Sequence, residues 1–251
     1  MAGHNKWSKV KRLKGALDQK RGKIFSKLAK EIAVAARSGG GDPAGNARLR
    51  TAILGARAQS MPNDNIDRAI KRGTGESSDG GQLEELIYEG YAPGGVALLL
   101  EVATDNKNRT AADLRLIFSK NHGNLASSGS VAYLFKHQGQ ITVSRADADE
   151  DRMLELALDA GADDVTADDE HHIITTAPDR LYAVAESLKS AGVTAETQKL
   201  TYAPETTIGL TDEQIAAQVL RLCDLLDDND DVQNVHANCD FSDEMLAKVS
   251  G

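Results

Sequence analysis

Residues 18–41 have the sequence DQKRGKIFSKLAKEIAVAARSGGG, in which apolar side chains follow a helical pattern up to a run of three glycines. The intervals between these apolar residues are three and four, which is the period of one face of an α-helix. Glycine is a poor helix former and commonly follows the last helical turn, so the run at 39–41 ends the element. The stretch therefore predicts a helix whose buried face is formed by Phe25, Leu28, Ile32, Ala35 and Ala36.

The lysines of the same stretch lie on the opposite face of this helix. With about 100° of rotation per residue counted from Phe25, they fall between about 140° and 220°. An exposed helix face usually mixes charges of both signs, and these positions do not. We interpret them as a phosphate-binding surface; the alternative is an ordinary solvated helix face. This lysine stripe consists of Lys20, Lys23, Lys27 and Lys30.

Two further helices are predicted after the first. Residues 44–60 and the residues that follow Pro62 both place apolar side chains at helical intervals, and Gly73 ends the second of these helices. Residues 73–82, GTGESSDGGQ, are rich in glycine, serine and acidic side chains and form a predicted linker. The sequence thus predicts a small basic three-helix domain over residues 1–78.

Beyond the linker, strand-like runs alternate with helix-like runs. Between residues 140 and 202 their order is β-α-β-β-α-β, the ferredoxin-like plan. The flanking segments supply β-α-β before this unit, with residues 131–135 as a strand, and α-β after it. We therefore predict an α+β fold in which a discontinuous α/β domain at 83–136 plus 204–251 is interrupted by a ferredoxin-like domain at 137–203. A simple tandem of two α/β domains is the alternative.

The formal net charge of -9 conceals a division of charge along the chain. Through Arg72 there are 17 Lys and Arg side chains against five Asp and Glu, a net charge of +12, whereas the remaining residues hold 12 against 33, a net charge of -21. Such asymmetry indicates a polyanionic partner for the basic part. The acidic remainder is expected to discourage indiscriminate coating of nucleic acid.

The composition of the chain favours a cytoplasmic protein that does not enter a membrane. No apolar run approaches the roughly 18 residues that span a bilayer, and no secretory signal is present. Cys223 and Cys239 lack a C-x-x-C spacing and are too few for a disulfide framework, which fits a reducing compartment. A mitochondrial or plastid address is the alternative, because the first 17 residues carry five Lys and Arg and no acidic residue.

The motifs of enzymes, metal sites and cofactor sites are missing from the sequence. No glycine cluster has the spacing of a dinucleotide or phosphate loop, and the six histidines are not accompanied by cysteine or carboxylate ligands at metal-binding intervals. No serine lies in a nucleophile elbow, and neither cysteine lies in an electropositive local sequence that would lower its pKa. We therefore expect no catalysis, no metal, no cofactor and no small-molecule substrate.

The first residues concentrate positive charge around the only tryptophan of the chain. Lysine and arginine neutralise phosphates, and an indole can stack on an unpaired base for about 1–3 kcal/mol. The alternative for Trp7 is that it anchors this arm onto the helical domain. Together with the lysine stripe and Arg21, the predicted nucleic-acid contacts are Lys6, Trp7, Lys9, Lys11, Arg12 and Lys14.

Six segments of the chain resemble the YebC/PmpR family, whose mitochondrial relative is a translational activator of cytochrome oxidase. The resemblance implies a helical N-terminal domain, two α/β domains and a role as a probable DNA-binding transcriptional regulator. It equally implies a ribosome-linked role, in translation and in relief of stalling at proline-rich stretches. The segments are GHNKW at 3–7, KRGKIF at 20–25, GGGDP at 39–43, YEGY at 88–91, DNKNRT at 105–110 and GSVAYLF at 129–135.

The DNKNRT segment also places Lys107 and Arg109 in an otherwise acidic region, where they form a possible secondary nucleic-acid contact. The alternative is a strand-to-helix turn capped by Asn108. The partner predicted overall is nucleic acid, as DNA in a transcriptional regulator or as ribosomal RNA in a ribosome-associated translation factor. The sequence leaves both open, because it presents no obvious helix-turn-helix with base-reading side chains.

Overall fold

The computed structural model describes residues 17–77, 81–242 and 245, and for residues 17–21 it describes the backbone alone. Its first three elements confirm the predicted helices. Their apolar faces meet in one core, which contains Ile32, Leu49, Ile53, Ala56 and Ile66. The helices are α1 (Leu17–Gly39), α2 (Ala47–Ala58) and α3 (Asn63–Thr74).

The turn between α1 and α2 is built on the buried side chain of Asn46, and α2 therefore begins at Ala47 and not at residue 44. The Oδ1 atom of Asn46 accepts a hydrogen bond of 3.0 Å from the backbone N–H of Leu49, which caps the first turn of α2. Its Nδ2 atom donates to the carbonyl oxygens of Ala35 at 2.7 Å and Gly40 at 2.8 Å. One side chain thus satisfies backbone groups at the end of one helix and the start of the next.

The rest of the described chain alternates strands and helices, as predicted. The elements in chain order are β1 (Glu84–Tyr91), β2 (Ala97–Thr104), α4 (Lys107–Lys120), β3 (Asn124–Leu125), β4 (Phe135–Ser144), α5 (Glu150–Asp159), β5 (Asp164–Ala167), β6 (His171–Thr176), α6 (Leu181–Ser190), β7 (Thr197–Pro204), β8 (Ile208–Leu210), α7 (Glu213–Asp227), β9 (Val232–Ala237) and β10 (Cys239–Phe241).

The first sheet is antiparallel and has the strand order β3-β1-β2-β9. Strands β1 and β2 form a hairpin whose turn contains Gly94 and Gly95 at φ values of 74° and 75°. Left-handed backbone of this kind favours glycine, so the turn can close here. Leucines of β2 pack with side chains of α4 and α7 in the main core, which includes Leu98, Leu100, Leu114, Phe118 and Leu222.

The expectation of a strand at residues 131–135 is wrong. The third strand of this sheet is the short β3, and residues Ala132–Leu134 form a single 3₁₀ turn. The backbone N–H groups of Gly129, Val131 and Ala132 donate to the carboxylate of Glu89 instead of to a neighbouring strand. This apolar segment therefore belongs to a loop whose backbone binds a buried acid.

Residues Phe135–Ala203 form a compact unit of their own. Its antiparallel sheet has the order β5-β6-β4-β7, and with α5 and α6 it follows the ferredoxin-like plan predicted for this part of the chain. The core of the unit includes Ile141, Met153, Ile174 and Leu181.

The other compact unit joins Met1–Leu134 with Pro204–Gly251, so the three helices and the first sheet belong together. Within it α1 packs against β2 and β9. The division of this unit into a separate helical domain ending at residue 78 and an α/β domain beginning at residue 83 remains a prediction from the sequence.

Candidate nucleic-acid interface

The predicted contacts fall into three groups. Lys6, Trp7, Lys9, Lys11, Arg12 and Lys14 lie outside the described residues, and Lys20 and Arg21 lie on α1 with undescribed side chains. The remaining lysines of the stripe and the pair in the DNKNRT segment are described with their contacts.

The lysine stripe meets residues 227–231, four aspartates and Asn229, which we call the acidic loop; it begins with the last residue of α7 and leads to β9. The Nζ atom of Lys23 lies 3.2 Å from the carbonyl oxygen of Asp228 and 3.3 Å from its Oδ1 atom. The Nζ atom of Lys27 lies 2.6 Å from the carbonyl oxygen of Asp227 and 3.0 Å from its Oδ1 atom. Each of these two lysines thus binds a carboxylate and a backbone oxygen of the same residue.

Lys30 completes the contact at the far end of the acidic loop, where it donates to the carbonyl oxygen of Asp230 at 2.8 Å. It also pairs with the carboxylate of Asp231, which accepts from several side chains at once. Burial alone raises the pKa of the Asp231 carboxyl, but hydrogen bonds from Lys30, Thr110 and Arg109 outweigh it and lower the pKa to about 2. The donors are Lys30 Nζ at 2.6 Å, Thr110 Oγ1 at 2.6 Å, Arg109 Nη2 at 3.0 Å and Thr104 Oγ1 at 3.2 Å.

The expectation of a helix face without balancing acids is therefore wrong for the described part of the stripe. The side chains of Lys23, Lys27 and Lys30 are 46%, 20% and 13% exposed, so the stripe passes from open to buried along α1. The acids that balance them come from a segment about 200 residues later in the chain. Such a pairing cannot be read from the local sequence, and the role of these lysines in nucleic-acid binding remains a prediction.

Other ion pairs also connect the helical part to the sheet region. Arg48 of α2 donates to Glu85 of β1 at 2.8 Å and to Glu31 of α1 at 2.9 Å, and Arg72 pairs with Asp105 at 3.1 Å. The pKa of Arg48 is raised, because these two carboxylates outweigh the effect of burial. The buried apolar cluster that links α1 to the sheet region is small and consists of Ala33, Val34, Leu83 and Ala103.

The DNKNRT segment is a strand-to-helix turn, but its cap is Asn106 and not Asn108. The Oδ1 atom of Asn106 accepts from the backbone N–H of Arg109 at 3.1 Å. The Arg109 guanidinium binds Asp231 and, at 3.2 Å, Asp105, and the hydrogen bond to Asp231 is the first cause of its raised pKa. Arg109 is thus held by internal carboxylates, whereas Lys107 is exposed at the start of α4.

A basic groove lies between α1 and α3. It has a volume of about 520 Å³, and its apolar lining includes Phe25, Ala29, Met61 and Ala69. Among the described residues that line it, four are cations and none is acidic: Lys30, Arg68, Lys71 and Arg72.

The cations of α3 were not singled out by the sequence analysis. Arg68 and Lys71 are exposed, and Arg72 is half-buried with its Nε atom lacking a hydrogen-bond partner in the described structure. Their spacing of three and four residues was a usable signal, because it places them on one face of a helix. That this face borders α1 depends on packing between two helices. The groove can accept phosphates at its cations and an apolar ring at its floor.

The described residues offer little that would support another chemistry. Cys223 and Cys239 are buried, and burial raises the pKa of Cys239 to about 12 and that of Cys223 well above its usual value. These thiols are therefore protonated. In the described part of the chain, no group of three or more histidine, cysteine and carboxylate side chains is placed to hold a metal ion. Likewise, none of the described helices is both long and apolar enough to cross a membrane.

Comparison with known families matches almost the whole chain to two models. The TACO1/YebC N-terminal domain matches residues 5–76, and the TACO1/YebC second and third domain matches residues 83–239.

Curated relatives and one solved structure are similar over nearly their full lengths. A probable transcriptional regulatory protein of Rubrobacter xylanophilus is 52% identical over 100% of both chains, and one of Acidithiobacillus ferrooxidans is 55% identical over 99% of this chain and 98% of its own. The crystal structure of a conserved hypothetical protein from Aquifex aeolicus has a TM-score of 0.82 and 48% identity, and the match covers 90% of this chain and 93% of that one.

Proposed function

Because the chain belongs to the TACO1/YebC family, we propose that it is a regulatory protein that binds nucleic acid through its helical N-terminal part. The names of its relatives support a regulatory role in transcription. The nucleic acid would contact the basic groove, the N-terminal arm at residues 6–14 and the exposed Lys23 end of the lysine stripe. It includes no catalytic step.

The observation that carries this proposal is the basic groove. Four cations and no acidic residue line a groove of about 520 Å³ in a chain whose net charge is -9. Lys30 and Arg72 are paired with carboxylates outside the lining, whereas Arg68 and Lys71 have no carboxylate partner among the described ion pairs. Lysine and arginine that neutralise phosphates release condensed counterions, which is the main source of affinity for nucleic acid. Arg68 and Lys71 are exposed there, so a phosphate can reach them.

Charge reversal in the groove tests the proposal. We expect Arg68→Glu combined with Lys71→Glu to weaken binding of the full chain to nucleic acid at least ten-fold, and to reduce the slope of log Kd against log salt by about 1–2. The control is Arg152→Glu with Lys189→Glu, since both residues are exposed and lie in the other compact unit. Equal affinities for the groove variant and the wild type would overturn the proposal.

Substitutions in the basic groove test nucleic-acid binding more specifically than substitutions in the lysine stripe do. Charge reversal of Lys23, Lys27 and Lys30 would set new carboxylates against the acidic loop and disturb the fold as well as any binding. Arg68 and Lys71 have no carboxylate partner among the described ion pairs, so their replacement separates the two effects.

An RNA-binding role in translation is a second candidate, and the floor of the groove favours it. The half-buried ring of Phe25 offers apolar surface between the cations, and bases that are free to stack are found in single strands and not in a regular duplex. Competition between single-stranded RNA and duplex DNA of equal length distinguishes the two. Preference for RNA and co-sedimentation with ribosomal particles at moderate salt would support the translational role, whereas tight promoter binding without co-sedimentation would support the transcriptional one.

A further inference from the structure

The acidic loop presents oxygen atoms to the lysine stripe in the way that a nucleic-acid backbone would. Lys23 and Lys27 each bind one carboxylate and one carbonyl oxygen, at distances between 2.6 and 3.3 Å. Lysine binds phosphate oxygens as a point charge without a fixed orientation, so the same ammonium groups suit either anion. Oxygen atoms of the acidic loop therefore occupy the positions at which phosphate oxygens would bind these lysines.

The contact between the acidic loop and α1 is mainly ionic. The apolar cluster between α1 and the sheet contains four buried residues, three of them small: Ala33, Val34, Leu83 and Ala103. Ion pairs near the surface are weakened by salt and can be exchanged for other ion pairs, whereas a large apolar contact has no such substitute. A polyanion that reaches the stripe can thus replace the carboxylates without exposing much apolar surface.

The strength of the contact differs between its two ends. Lys23 and Asp228 are 46% and 62% exposed, and Lys27 and Asp227 are 20% and 21% exposed. At the other end, Lys30 is paired with a carboxylate that Thr110 and Arg109 also hold. The acidic loop is therefore expected to open from the Lys23 end while Asp231 stays in place.

We propose that the acidic loop is an internal competitor that must leave Lys23 and Lys27 before nucleic-acid phosphates can bind them. This inference rests on the proposed function, because it names the regulation of the same surface. Nucleic acid that binds only weakly would leave the acidic loop in place. Nucleic acid that also occupies the basic groove would displace it, which raises the selectivity of a chain whose basic part would otherwise bind polyanions of any kind.

The test removes the two carboxylates that bind Lys23 and Lys27. In full-length Asp227→Asn/Asp228→Asn, we expect Kd for nucleic acid to fall roughly three- to ten-fold and the salt slope to become steeper by up to about 1.5, because each of the two lysines loses a carboxylate that competes with phosphates. The matched control is Asp113→Asn/Glu213→Gln, which makes the same change in net charge at exposed sites of the same unit. An equal gain in the control, or no gain in the loop variant, would overturn the inference.

A combined variant identifies the lysines as the source of the gain. Adding Lys23→Gln and Lys27→Gln to the loop variant is expected to abolish the increase in affinity, whereas the same lysine changes in the wild type are expected to alter Kd less than two-fold. Urea unfolding would check that each variant is folded. Asp228→Asn alone is a milder variant, which removes only the carboxylate that pairs with Lys23. A gain that persists without the two lysines would overturn the inference.

Heparin separates this inference from the proposed function. If the wild type binds heparin but no nucleic acid, and the loop variant binds heparin more tightly than the control does, the internal competition stands and the proposed function fails. If the wild type binds nucleic acid through the basic groove but the loop variant and the control bind alike, only the competition fails. If neither polyanion binds, both fail.

Discussion

Two buried carboxylates in the same compact unit are stabilised in different ways. Glu89 is 3% exposed and accepts hydrogen bonds from the backbone N–H groups of Gly129, Val131 and Ala132 at 2.6, 2.6 and 2.8 Å. Asp231 is 6% exposed and relies on the side chains of distant cations and hydroxyls. The backbone N–H groups that bind Glu89 carry no net charge, so dissolved ions affect them little. The lysine that binds Asp231 is a cation and can also bind other anions.

The two carboxylates should also differ in how strongly salt, pH and polyanions affect their contacts. Burial alone raises the pKa of Glu89, and the backbone N–H groups outweigh it and lower the pKa. These N–H groups belong to the backbone, so Glu89 fixes the conformation of the loop that follows β3. The contact between the acidic loop and the lysine stripe depends on charged side chains and therefore responds to salt, to pH and to polyanions.

Loss of the Glu89 carboxylate is expected to have the largest effect on stability. Glu89→Ala leaves three backbone donors without their acceptor, which should lower the free energy of unfolding by about 3–5 kcal/mol. Urea denaturation measures the change, and Glu84→Ala, an exposed position on the same strand, is the control with an expected change within about 0.5 kcal/mol. A loss below about 1 kcal/mol in Glu89→Ala would show that the loop does not depend on this acid.

Acid titration tests the other carboxylate and should have an intermediate effect. The pKa of Asp231 is lowered from 3.8 to about 2 in the folded protein, so its contribution to stability is present above pH 3.8 and is lost as the pH falls toward 2. The difference in unfolding free energy between the wild type and Asp231→Asn should therefore shrink over this range. A difference that stays constant from pH 5 to pH 2 would contradict the assignment.

Replacement of Lys23 is expected to have the smallest effect. Lys23→Gln removes an exposed ion pair and should cost at most about 0.5 kcal/mol, and this cost should vanish in 1 M salt. Lys30→Gln breaks a buried pair in the same stripe and should cost about 2–3 kcal/mol. Equal losses of unfolding free energy in the two variants would contradict the expectation that the acidic loop opens from its Lys23 end.

Local patterns in the sequence were sufficient to predict most elements of the fold. The helical period of residues 18–41 identified α1. The alternation of strands and helices predicted a ferredoxin-like domain at 137–203, and the structure has a compact unit of this plan at Phe135–Ala203. The errors arose where a side chain controls the backbone. The motif DNKNRT contains two asparagines, and only the structure distinguishes Asn106 as the cap. The segment at 131–135 resembles a strand, but its N–H groups bind Glu89.

The candidate site was less predictable from the sequence. Periodicity correctly placed Lys23, Lys27 and Lys30 on one face of α1, but the acidic loop that covers them lies about 200 residues away in the chain. The basic groove likewise requires α3 to pack beside α1, which brings Arg68 and Lys71 near Phe25. Contacts of this kind follow from tertiary packing, and a single sequence contains no local signal for them.

The salt dependence of nucleic-acid affinity tests the central claim most directly. Kd of the full chain for a single-stranded RNA and for a duplex DNA would be measured from 50 to 400 mM salt, for the wild type and for Arg68→Glu/Lys71→Glu. We expect a linear fall of log affinity with log salt in the wild type, with a slope of about -3 or steeper for the preferred nucleic acid, and a slope flatter by about 1–2 in the variant. Affinity that does not change with salt, or identical slopes in the two proteins, would contradict binding through the helical N-terminal part.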